Sequence, residues 1–169
     1  EEQHLFNSPQ DPCGLSMAGD YIFICDPSGA WVSHFTYSLS GQLIDQKDWN
    51  YFSREYVWSA VNRRMYFFRD DTSPNDLLME DIYEDGMLGL VTDSPYHSSE
   101  GIRHPIRVAP NGSYVVLGSG RIYDADNLNE VNSLSNDIVD AVWLNDQMIT
   151  LWDRLDHNEI QFWDNRLSV

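Results

Sequence analysis

Apolar residues recur along this chain in short runs, separated by small polar turns, and helical periodicity is weak throughout. The runs are rich in β-branched and aromatic side chains, so each predicts a strand. The clearest stretch is Ile106-Arg107-Val108, then Pro110-Asn111-Gly112, then Tyr114-Val115-Val116-Leu117. Proline presets φ and Asn-Gly tolerates positive φ, which predicts a hairpin. Arg121 to Asp124 supplies a third strand, Asn127 to Asn129 a turn, and Glu130 to Leu134 a fourth strand.

The same order of strand, turn and stronger strand recurs in segments that begin near Cys13, Tyr56 and Asp140. The copies are spaced by about 34 to 50 residues, which brackets the length of a four-stranded propeller blade. A meander of this size cannot bury both its faces alone, and stacking sheets around an axis solves that problem. The expected fold class is therefore all-β, a β-propeller of about four blades built from four-stranded meanders. The expected blades span residues 13–50, 56–95, 105–135 and 140–165 of a single domain, 1–169.

The last unit ends after its third strand, and two sources of a fourth stay open. Residues 1–7 are one, pairing near Ile160; another chain is the other. An unfilled edge invites pairing with another chain. An exchanged terminal strand can then link subunits into a filament.

The segment Ile106 to Val131, with Ala109-Pro110-Asn111-Gly112 and Arg121-Ile122-Tyr123-Asp124-Ala125, resembles YVTN-type and WD-repeat-like β-propellers. Ile160-Gln161-Phe162-Trp163-Asp164 is similar to the Trp-Asp ending of a WD-repeat strand, although the Gly-His pair of a true WD blade is absent. The resemblance implies a recognition scaffold and no particular ligand.

The chain has 169 residues, 42% of them apolar and 13% aromatic, enough for a packed core. Its 27 acidic and 10 basic residues give a formal charge of −17. That surface repels phosphate backbones and anionic lipid, which argues against nucleic-acid and membrane-surface partners. Solubility, cation binding or a cationic partner remain as uses of the charge. No run is long enough to span a bilayer as a helix. The chain opens on Glu1-Glu2-Gln3-His4, without an initiating Met or a signal-peptide pattern, as a mature or trimmed chain would.

Cys13 and Cys25 are the two cysteines. A turn centred on Gly19 places them directly opposite, with Cα atoms roughly 4.5–5.5 Å apart, near the range a disulfide needs. A disulfide here implies an oxidising compartment, extracellular or periplasmic. Two buried free thiols are the alternative.

Other candidate chemistry is sparse. Asp70, Asp71 and Asp76 crowd one loop, either as oxygen ligands for Ca²⁺ or as a solvated turn; no other cofactor is expected. Trp49, Tyr51 and Phe52 fall in the connection between the first two units and are candidate ligand contacts, for instance with sugar rings. Asn111-Gly112-Ser113 is a glycosylation sequon in an exposed turn. His4, His34, His97, His104 and His157 form no HExxH pattern, and G-x-S-x-G and G-x-x-x-x-G-K are absent. The expected function is a non-enzymatic, extracytoplasmic interaction or assembly module of propeller type, with a protein partner or self-association. Two alternatives stand beside it: a structural subunit polymerising by strand exchange, and a carbohydrate-binding module or glycan-acting enzyme.

Overall fold

The computed structural model describes residues 6–9, 11–28 and 32–164, and the side chain of Trp49 is outside that description. The described residues form fifteen β-strands and no α-helix. Four antiparallel sheets follow one another along the chain. The first is β1 (Gly14–Ala18), β2 (Tyr21–Asp26), β3 (Val32–Ser38) and β4 (Leu43–Asn50). The second is β5 (Tyr56–Ser59), β6 (Arg64–Phe68), β7 (Leu77–Ile82) and β8 (Leu88–Asp93). The third is β9 (Ile106–Val108), β10 (Tyr114–Leu117), β11 (Arg121–Asp124) and β12 (Glu130–Ser133). The fourth holds three strands, β13 (Asp140–Leu144), β14 (Gln147–Asp153) and β15 (Asn158–Phe162). Within each sheet the strands pair in chain order, so every sheet is a meander.

Strand β6 shows why the sheets stack. Successive strand residues point to opposite faces, and Arg64-Met65-Tyr66-Phe67-Phe68 is apolar at both parities after its first residue. Met65 and Phe67 join Phe23, Leu78 and Ile82 in a core between the first and second sheets. Tyr66 and Phe68 join Ile106, Val115, Leu117 and Tyr123 in a core between the second and third. Strand β10 repeats the device: Val116 turns away from Val115 and Leu117 into a third core with Ile122, Ala141, Met148 and Trp163. A strand apolar on both faces is a strand buried on both faces. The first strands β1, β5, β9 and β13 lie side by side in that order, so the stack is arranged about their edge.

Polar groups join neighbouring sheets at their margins. Thr36 Oγ1 donates to Gly86 O at 2.6 Å, and Leu88 N donates to Asp45 Oδ2 at 2.9 Å. Tyr66 OH donates to Ala125 O at 2.7 Å, and Trp143 Nε1 donates to Tyr114 OH at 2.9 Å.

Two expectations change in detail. Strands β1 and β2 join through the two-residue turn Gly19-Asp20, with Ala18 opposite Tyr21 and φ of +67° at Gly19. The register is therefore displaced by one from a turn centred on Gly19. Cys25 faces Gly14, and Cys13 stands one residue beyond. The disulfide forms on that diagonal, with Cα atoms 5.3 Å apart and Cys13 N donating to Cys25 O at 2.9 Å. The other change is β4, which runs on to Asn50, so Trp49 lies on a strand rather than in a connection.

As for the fourth strand of the last sheet, residues 1–5 lie outside the described residues, as does Trp31. Phe6 and Asn7 belong to no strand, and the Phe6 ring stacks on Tyr37 of β3 at a centroid distance of 5.1 Å. Among the described residues β15 pairs with β14 alone.

Candidate functional site

The outer face of the last sheet carries exposed apolar side chains. Register pairs place residues of adjacent antiparallel strands on one face. Val142, Ile149 and Phe162 form one such row and Asp140, Leu151 and Ile160 the next. Val142 is 58% exposed, Ile160 68% and Phe162 53%. An open depression runs between these rows, and its wall is almost wholly apolar. On the opposite face of the same strands, Ala141, Met148 and Trp163 are buried against the third sheet. There Trp163 Nε1 donates to Thr150 Oγ1 at 2.8 Å, and Thr150 Oγ1 donates to Gln161 Oε1 at 3.3 Å.

A second feature lies along the first strands. Arg107 on β9 donates from Nη1 to Glu55 Oε1 at 2.6 Å and from Nε to Asp140 Oδ1 at 2.7 Å. His104 Nδ1 lies 3.0 Å from Glu55 Oε2, and its Nε2 lies 3.3 Å from Asp70 Oδ2. The result is an alternating ladder, Asp70–His104–Glu55–Arg107–Asp140, across the second, third and fourth sheets. Burial pulls the Arg107 guanidinium down, but its carboxylate partners outweigh that and hold it above its ordinary range. Each charge in the ladder is engaged by its neighbour, so the arrangement clamps the sheets.

A third polar group is fully buried between the first two sheets. His34 and Glu80 are both inaccessible, with Nδ1 2.5 Å from Oε2. His34 Nε2 lies 3.2 Å from the Tyr56 hydroxyl, and Asn50 Nδ2 donates to Glu80 Oε1 at 3.3 Å. Lys47 sits 3.8 Å from Glu80 at the rim. Burial, reinforced by the charge of Glu80, pushes the Tyr56 phenol well above its ordinary range.

The residues singled out from sequence fall as follows. Asp70 Oδ2 belongs to the ladder and accepts from Arg54 N at 2.9 Å. Asp76 is buried, accepts from Leu77 N at 2.9 Å and from Ser94 Oγ, and faces Arg69 and His97. Asp71 is exposed. The loop thus points Asp70 and Asp76 into separate bonded environments, and no cluster of three or more His, Cys, Asp or Glu suited to a metal occurs among the described residues. Tyr51 and Phe52 are half-buried against the first core, and the Arg69 guanidinium covers the Tyr51 ring at 4.9 Å. Asn111 is exposed in its turn, where its Oδ1 accepts from Ser113 N at 3.1 Å and Ser113 Oγ at 2.7 Å.

Sequence reasoning missed the outer face of the last sheet and the ladder. The face had a legible signal: Ala141-Val142-Trp143-Leu144 and Met148-Ile149 are apolar at both parities, which demands two covers. The ladder had none, because Glu55 and Arg107 are 52 residues apart.

The sequence matches no model of a known protein family. Nor does any curated protein match it.

Proposed function

We propose that the four sheets are blades of a β-propeller and that the chain is a non-enzymatic interaction and assembly module acting outside the cytoplasm. The observation that carries this reading is the apolar outer face of β13, β14 and β15. Exposed apolar patches rimmed by polar residues mark binding surfaces, and here Asp140 ends one row and the register pair Asp153 and Asn158 follows it. The side-by-side first strands and the shared core at each sheet junction support the blade arrangement. The Cys13–Cys25 disulfide is compatible with an extracellular or periplasmic location.

The test is fluorescence of an apolar dye on the purified chain, compared with Val142→Glu and Ile160→Glu. Both residues are exposed, so both variants fold. The expected result is that each variant loses more than half of the dye signal. Signal unchanged in both variants sinks the reading.

Strand exchange is a second reading, favoured by one observation: the outer edge of β15 has no partner strand among the described residues. Here the edge, rather than the face, makes the contact. A synthetic peptide of residues 1–7 in excess then shortens assemblies seen by electron microscopy. Assemblies indifferent to the peptide, or none at all, exclude it.

A further inference from the structure

Each end of the stack carries exposed apolar side chains. On the first sheet, register places Leu15, Ile24 and Phe35 in one row and Met17, Ile22 and Tyr37 in the next, on the face turned away from the second sheet. Leu15 is 77% exposed and Met17 50%, while Ile24 between them and β3 is buried. Phe6 covers the Tyr37 margin. With Ile160 68% exposed at the other end, neither end covers the exposed side chains of the other among the described residues.

The junctions inside the chain show what such rows do. Val57, Tyr66 and Met79 form a row on the second sheet, and Val108, Val115 and Tyr123 form one on the third. These two rows share one core. Every junction joins the trailing face of one sheet to the leading face of the next. Among the described residues, the trailing face of the last sheet and the leading face of the first take part in no such junction.

We infer that a second copy of this chain supplies the missing cover, with the last sheet of each copy packed on the first sheet of the other. This rests on reading the outer face of β13–β15 as an interaction surface, and it names the partner. The contact repeats the junction already made inside the chain. It is heterologous and is made twice, so it closes under twofold symmetry. Two copies contribute eight sheets, since each chain holds four, and propellers close with roughly four to eight blades.

Back-to-back pairing of two last sheets would leave both first sheets open, whereas head-to-tail pairing covers all four end faces. Three strands, counted over the five residues that all of them share, offer about 250 Å² of footprint at strand spacings of roughly 4.8 Å and a rise of 3.4 Å. Four such faces total about 1,000 Å², the area at which specific interfaces begin.

Light scattering on the chain after size exclusion tests this, across concentrations from about 1 to 100 μM, an ordinary range for such interfaces. The expected mass is twice that of the chain. Leu15→Glu and Ile160→Glu, each alone, reduce it to one chain. Mixing the two variants restores a mass of two chains, because one intact last sheet then meets one intact first sheet. If Leu15→Glu stays dimeric while Ile160→Glu does not, the contact is back-to-back and the inference is wrong.

A wild-type chain that stays monomeric at every concentration also overturns it. In that case the dye measurement still decides the underlying reading. Dye lost on Ile160→Glu keeps the surface and removes only the second copy as its partner. Dye retained removes both.

Discussion

Tyr56 and its neighbours set the chemistry of the first junction. His34 and Glu80 sit in a dry core, where breaking a buried hydrogen-bonded pair by removing one partner costs far more than the pair contributes. Glu80→Ala leaves His34 and Lys47 facing a cavity with no carboxylate. The expected loss is about 3–5 kcal/mol of unfolding free energy, read by urea denaturation. A loss under about 1 kcal/mol, the worth of a surface pair, would contradict the burial described.

The raised phenol of Tyr56 carries a pH dependence whose sign follows from linkage. Unfolded tyrosine ionises near pH 10, while folded Tyr56 stays protonated to higher pH because burial disfavours its anion. Above about pH 10 the unfolded state binds fewer protons, so stability falls by up to about 1.4 kcal/mol per pH unit for this group. The contribution is complete below pH 10 and is lost as pH rises toward the folded value. Burial raises Tyr66, Tyr114 and Tyr123 as well, so the whole chain is destabilised by alkali. Unfolding followed between about pH 9 and 11 should give a shallower decline for Tyr56→Phe than for the wild type; equal slopes would contradict the assignment.

At the scale of elements, the hairpin of β1 and β2 is the local unit that a covalent bond reinforces. The bridge spans a separation of 12 residues. Closing a loop of that size stabilises by about 3 kcal/mol in the chain-entropy model. Replacing Cys13 and Cys25 together with alanine should lower the urea midpoint accordingly, and adding reductant to the wild type should reproduce the shift. No difference between oxidised and reduced protein would show that the hairpin is held by packing alone.

Most elements were legible because their signals are local. Pro110-Asn111-Gly112, Ser40-Gly41 and Glu84-Asp85-Gly86 sit between strands, and φ is +71° at Gly112, +83° at Gly41 and +84° at Gly86. These values belong to the left-handed region that glycine enters without a Cβ clash. Register was less legible. A two-residue turn and a three-residue turn around Gly19 differ by one position, and composition does not choose between them. Lys47, Asp48 and Asn50 are polar, which suggests a connection around Trp49, yet β4 runs through it to Asn50. Lys47 and Asn50 nevertheless pair with the first junction through Gly89 O and Glu80, a support visible only across sheets.

For the whole molecule, charge and apolar ends act against one another. A formal charge of −17 makes the chain repel itself and any like copy. The Debye length shrinks from about 30 Å at 0.01 M salt to about 8 Å at 0.15 M. Sodium chloride should therefore raise the unfolding midpoint and strengthen association over that range, measured by thermal circular dichroism and by light scattering. A midpoint that falls with salt would mean that the ion pairs of the ladder outweigh the net repulsion.

Fold class and meander order were decided within the polypeptide itself. Turn chemistry and the two-residue parity of apolar positions act between residues a few positions apart, and they yield four sheets of three or four strands wherever the chain folds. Contacts between sheets follow a different rule. His34 meets Glu80 across 46 residues, and Arg107 meets Glu55 across 52. No local pattern encodes those distances, and only the stacking of sheets brings them together. The same stacking decides that Leu15 and Met17 on the first sheet and Val142 and Ile160 on the last stay in water. A row of apolar side chains announces that it needs a cover, but whether the chain supplies that cover depends on where its other sheets stand.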